Sequence, residues 1–127
     1  MSWDIFLFNT NQKVEIMDEL DEDIMEPIDF CSIFKNYFNE IEEDEDHRSI
    51  KGVDFTIEYF IDDVPTTTKI LNLYGENALY EIILLAQKYQ WQIFDTSLGG
   101  MVDVDNPQRN GYENFGQYLH QITNKNE

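Results

Sequence analysis

The chain is expected to fold as one α+β domain, with a single antiparallel sheet carrying its helices on one face. Three observations predict this. Short apolar or alternating runs suited to strands recur along the sequence, two stretches carry apolar residues at spacings of three and four, and the two patterns follow one another as strand, helix, strand, strand, helix, strand. A length of 127 residues suits one core, so the domain is taken as 1–127. Apolar residues at 42% and aromatics at 14% supply enough material to pack it.

Trp3 to Phe8 (WDIFLF) is apolar nearly throughout, as a strand buried on both faces at the centre of a sheet would be. From Asn9 to Pro27 the text is polar and acidic, with a short helix expected around Val14 to Leu20 and ended before Pro27. Phe30, Ile33, Phe34, Tyr37, Phe38 and Ile41 then share one face of a helix from about Asp29 to Glu42, which Asp29 or Ser32 caps. Acids at its C-terminal end oppose the helix dipole, so 42–46 should fray into a mobile acidic loop reaching Lys51-Gly52.

Val53, Phe55, Ile57, Tyr59 and Ile61 alternate with Asp54, Thr56, Glu58 and Phe60, a strand with one face on a core. Asp62 to Pro65 turns it into a hairpin partner, Thr66 to Tyr74, which Gly75 ends. Glu76 to Gln90 reads as the second helix, through Ala78, Leu79, Ile82, Ile83, Leu85, Ala86 and Tyr89. Trp91 to Asp95 is a strand, and after Gly99-Gly100 the run Met101 to Val104 pairs back on it. Tyr112, Phe115, Leu119 and Ile122 mark a C-terminal helix packed on the domain. This order is the split βαβ arrangement of ferredoxin-like sandwiches, with that last helix added; another strand order with the same elements is the alternative.

The net charge of −18, from 26 acids and eight bases, sets the class of partner. Binding to nucleic acid or to an anionic membrane is disfavoured, since both need surplus Lys and Arg. No apolar run approaches the length of a membrane helix, and Met1 to Asn9 carries Asp4 and no basic region, unlike a signal peptide. One cysteine, Cys31, fits a reducing compartment, so the cytoplasm is expected, and its neighbours Phe30 and Phe34 make it a small buried hydrophobe.

The acid is unevenly placed. Fourteen of the 26 acids, against the single base Lys35, fall between Glu15 and Asp46. They form two blocks that bracket the first helix, and folding could bring both to one edge of the molecule. The residues expected to bind a partner are Asp18, Glu19, Asp21, Glu22 and Asp23 in the first block, and Glu42, Glu43, Asp44, Glu45 and Asp46 in the second. Such a field attracts a basic protein and speeds its association. Ile16, Met17, Leu20, Ile24, Met25 and Ile28 among the acids offer apolar anchors or, alternatively, pin the segment to the core. The plainer reading is that both blocks are solvated loops that keep the protein soluble.

No motif names a chemistry. The acids lack calcium-loop spacing, Asp103 to Asn106 runs into Pro107, and Cys31, His47 and His120 are too scattered to suggest zinc, so neither metal nor cofactor is expected. His47 or His120 could meet Asp95 or Asp103 in space, but surface histidines are the simpler expectation. An enzyme using carboxylates in a cleft, a scaffold role, and self-association through an uncovered sheet face stand as alternatives to a binding module.

In size, charge and lack of motifs, with Asp18 to Glu26 and Glu40 to Asp46 as its acidic surface, the chain resembles the small acidic immunity and inhibitor proteins that bacteria make against their own toxins. The resemblance implies a basic toxin or nuclease as the partner and supplies no catalytic residue. Tyr74 to Tyr80 and Trp91 to Asp95 also resemble helix-then-strand stretches of uncharacterised small bacterial proteins.

Overall fold

The computed structural model describes residues 3–112, 114–118 and 120. Its seven strands form one antiparallel sheet: β1 (Trp3–Phe8), β2 (Ile41–Asp44), β3 (His47–Gly52), β4 (Phe55–Phe60), β5 (Thr68–Tyr74), β6 (Gln92–Asp95) and β7 (Gly100–Met101), in the order β2-β3-β4-β5-β1-β6-β7. Two α-helices, α1 (Phe30–Tyr37) and α2 (Glu76–Tyr89), cover one face. The protein is therefore α+β, with a sheet larger than the expected four strands. No helix among the described residues is long and apolar enough to cross a membrane.

The strand phase sets the core. Ile5 and Leu7 of β1, Leu71 and Leu73 of β5, Ile57 and Tyr59 of β4, Ile50 of β3 and Ile93 of β6 point to one side, where each is at most 2% exposed. Helix α1 brings Phe34 against Tyr59 (centroids 5.1 Å apart) and Phe30 against Trp91 (5.0 Å), and α2 lays Ala78, Leu79, Ile82, Ile83 and Ala86 on the same side. Cys31 is only half-buried at its margin.

Helix α1 starts where expected, capped by Asp29, which accepts from the Ser32 N–H at 3.1 Å, but it ends earlier, since Phe38 already has extended backbone. The hydroxyl and N–H of Ser32 hold the Asp29 carboxyl below the usual carboxylate range. Residues 41–52 are not a mobile acidic loop but a hairpin, turning at Glu45-Asp46 with Glu45 at φ 54°. Pairing explains it: Ile41 faces Ile50 on the core side, and Glu43 faces Arg48 with Nε to Oε1 at 3.7 Å, so the acids that would end a helix are given cross-strand partners.

A second tight hairpin, turning at Val53-Asp54, leads into β4. Gly75 closes β5 at φ 96°, and a Cβ there would stand 2.6 Å from the Asp54 carbonyl oxygen, so glycine lets the strand end pass that turn. Past β6, the strand is Gly100–Met101, so of the expected Met101 to Val104 run only Met101 lies in it; the Val102 N–H still donates to the Ile93 carbonyl at 2.9 Å, and the Val104 carbonyl accepts from Gln87 Nε2 of α2 at 2.6 Å. Phe115 and Tyr118 pack on Tyr80 at 5.6 and 5.5 Å from a helical stretch over 115–118; Leu119 and Ile122 lie outside the described residues. The Asp95 carboxylate, 1% exposed, fixes this tail by accepting from Trp3 Nε1, the Ser97 N–H and the Tyr112 hydroxyl.

Candidate functional site

The second face of the sheet is covered over only part of its width. Residues 9–28 cross it as a strap, held by Asn9 Nδ2 donating to the Glu26 carbonyl (2.7 Å), by the Gln12 amide clasping the Asp21 backbone in both directions (2.8 and 2.9 Å), and by a bridge between Ile28 and Thr66. No α-helix forms around Val14 to Leu20. The strap contains single 3-10 turns at Met17–Glu19 and Glu22–Ile24, the latter capped by the Asp21 carboxylate. Val14, Leu20 and Met25 meet Phe6, Phe8, Phe94 and Met101, so these three are anchors to the sheet, while Ile16, Met17 and Ile24 remain exposed.

Asp18, Glu19, Asp21, Glu22 and Asp23 are all exposed on this strap. Four of them, with Phe8, Met17 and Leu20 as an apolar floor, line an open cleft of about 500 Å3. A floor of that kind under a carboxylate rim suits a Lys or Arg side chain, whose stem is apolar and whose tip is charged.

Glu42, Glu43, Asp44, Glu45 and Asp46 lie at the far edge of the sheet, also exposed. Strand order separates β2 from β1 by four steps, about 19 Å at the usual strand spacing of ~4.8 Å. The two blocks therefore do not gather at one edge, as their placement around α1 suggested. Alternation also divides the second block: Glu42 and Asp44 stand on the face that the strap occupies, whereas Glu43 points to the helix side toward Arg48.

Between the blocks the face is open. One row carries Asp44, His47 and Phe60 as cross-strand neighbours, then Ile70 paired with Phe6. Phe60 is 62% exposed and Ile70 53%, and the His47 ring meets Phe60 edge-on at 5.2 Å. The next row is polar: Glu42, Ser49, Glu58, Asn72 and Asp4 are successive cross-strand partners. Ser49 Oγ donates to Glu58 Oε1 at 3.2 Å and Asn72 Nδ2 to Asp4 Oδ1 at 2.5 Å. The Tyr74 hydroxyl also bonds Glu58, which holds it above the usual tyrosine value.

His47 meets neither Asp95 nor Asp103. Its Nε2 lies 3.9 Å from Glu58 Oε1, so Ser49, Glu58 and His47 share one patch. A nucleophilic relay places histidine between serine and carboxylate; here the carboxylate stands between the other two, which leaves the serine bound to an acceptor with no base on it. Asp103 accepts from Arg109 and the Asn106 N–H instead. Among the described residues no group of three or more His, Cys, Asp or Glu side chains is placed to hold a metal ion.

Sequence reasoning located the acids but missed Ile70 and Glu58 as part of a surface. Phe60 is the outward member of a β4 pattern whose phase is unambiguous, so its exposure was legible; Ile70 was not, because β5 alternates Lys69, Leu71 and Leu73 against Ile70, Asn72 and Tyr74 with apolar residues in both sets. No protein-family model matches the chain, and no curated protein or solved structure matches it either.

Proposed function

We propose that this chain is an acidic protein-binding module that holds a basic polypeptide on the open half of its second sheet face. One observation carries the reading: an exposed apolar patch, Phe60 and Ile70, lies between two acid-bearing borders, the strap on one side and Glu42 and Asp44 on the other. Apolar anchors at the centre with charge at the rim are the anatomy of a protein interface. The field of the acids speeds the arrival of a cationic partner and Phe60 and Ile70 slow its departure. A stoichiometric inhibitor of a basic toxin or nuclease, acting in the cytoplasm, is the concrete form of this role that the resemblance supports.

The core is read as a ferredoxin-like split βαβ unit. Support comes from the inner order β4-β5-β1-β6, all antiparallel, with α1 between β1 and β4 in sequence and α2 between β5 and β6; the hairpin β2-β3 and strand β7 are then additions at the two edges.

Titrating the 15N-labelled protein with a synthetic peptide of alternating Lys and Leu tests the proposal. Saturable shifts centred on Ser49, Glu58, Phe60 and Ile70, weakened at least tenfold by Phe60→Ser with Ile70→Ser and also by added salt, are expected. Shifts spread evenly over every acidic segment, or binding that the double variant leaves unchanged, would overturn it.

A further inference from the structure

Beneath the strap, away from the open face, one polar side chain has no use within the fold. Gln92 is the first residue of β6, opposite Phe8, and only 5% exposed. Among the described residues nothing donates to or accepts from its side-chain amide, although no wholly enclosed side-chain nitrogen or oxygen is left without a partner. The small exposure of Gln92 must therefore fall on the amide itself. Gln92 lines two adjoining clefts, one of about 150 Å3 between the strap and residues 101–110 and one of about 290 Å3 toward the C-terminal end of α2. The amide therefore opens into the clefts, where water or a ligand can meet it.

We propose that the smaller cleft is a binding site for a neutral, single-ring compound bearing an amide edge, such as a lactam or a carboxamide. The chemistry follows from the walls. Gln92 presents an acceptor and donors in one plane, and an amide edge answers both at once. Val14, Val102 and Val104 line the sides with apolar surface suited to a ring. At the mouth Lys13 is engaged by Asp105, and Arg109 by Asp103 and Glu15 at 3.2 and 3.3 Å; with three carboxylates against two cations, an anionic ligand meets neither an unengaged cation nor a favourable field. A volume of 150 Å3 equals that of about five waters, room for one ring and little more. This site is independent of the partner face: it lies between the strap and the end of the sheet opposite β2.

The test follows the Gln92 side-chain amide resonances of the whole 15N-labelled protein during titration with uracil, with nicotinamide, and with benzene as a ring of similar width that lacks the edge. Saturable shifts of those resonances at millimolar uracil or nicotinamide, and none with benzene, are expected; which of the two saturates first separates a nucleobase lactam from a carboxamide. Gln92→Met keeps the length and burial of the side chain and should bind either compound at least tenfold more weakly. Undisturbed Gln92 resonances with both compounds, equal shifts with benzene, or undiminished binding by a folded Gln92→Met would each overturn the proposal. The titration of the unaltered protein decides the matter even where the variant does not fold.

Discussion

Removing the Asp95 carboxylate probes how the C-terminal part of the chain is held. Oδ1 accepts from Trp3 Nε1 at 2.7 Å and from the Ser97 N–H at 2.9 Å, and Oδ2 accepts from the Tyr112 hydroxyl. A hydrogen bond to a charged group contributes about 1.5–3 kcal/mol, so three of them amount to about 4–9 kcal/mol before any recovery. Trp3 and Tyr112 are only half-buried, and water can reach their donors once the carboxylate is gone. Asp95→Ala should therefore cost about 3–5 kcal/mol, a large share of the stability of a domain this size. Asp95→Asn keeps one acceptor for Trp3 and Ser97 and turns an N–H toward the Tyr112 hydroxyl, which can rotate to accept, so about 1–2 kcal/mol is expected. Urea unfolding at neutral pH measures both, with unchanged slope as the sign that stability alone has moved. Pairing each variant with Tyr112→Phe should reveal a coupling of at least about 0.5 kcal/mol. An Asp95→Ala cost below about 1 kcal/mol, or additivity with Tyr112→Phe, would refute the argument that this carboxylate ties the tail to β1.

Phe34→Ala or Ile82→Ala, at residues with no exposed surface, should lose about 2–5 kcal/mol in urea unfolding, whereas Glu42→Lys with Asp44→Lys should change stability by under about 1 kcal/mol; a reversed ranking would contradict the assignment of core and face. Gly75→Ala should lower the unfolding midpoint, by about 1–3 kcal/mol in stability, because φ is 96° and the Asp54 carbonyl blocks the Cβ. Gly100→Ala, with open space around its Cβ, serves as the control, and equal midpoints for the two would sink the explanation. Burial, and then the neighbouring carboxylates Glu76, Asp95 and Glu81, push the Tyr80, Tyr112 and Tyr118 hydroxyls above their usual value of 10.0. Their protons are held more tightly in the fold than in the unfolded chain, so this stabilisation is complete below the unfolded value and is lost as the pH rises toward the folded ones. The urea midpoint should be level from about pH 8 to 9 and fall beyond about pH 10, less steeply in Tyr112→Phe; a midpoint still level at about pH 11 would exclude it.

The same physics shapes the open face. An acidic edge strand is protected from pairing with other chains, since like charges repel a second copy of β2 and water solvates its carboxylates. Glu42 and Asp44 therefore protect the edge while bordering the open face, a dual use that a free acidic loop could not provide.

Local pattern made much of this protein legible. WDIFLF, the alternation of Phe55, Ile57 and Tyr59, and the apolar stripe of Glu76–Tyr89 each require one periodicity, and each stands where that periodicity puts it. The acids, too, were visible as two blocks. What the tertiary structure decided was what those acids are attached to. Residues 41–44 carry a helix-compatible apolar spacing up to Ile41, and their strand character depends on Ile50 and Arg48, partners that a local window does not weigh. The inward phase of β5 is likewise set from outside: it buries Lys69, whose Nζ bonds Asp62 at 2.7 Å and the Phe60 carbonyl, and so turns Ile70 out to solvent. Sequence by itself determined the strongly periodic elements and the sign of the charge, because both are properties of neighbouring residues. Only the fold placed the blocks four strands apart with an apolar patch between them, because strand order is fixed by pairing energies between distant segments.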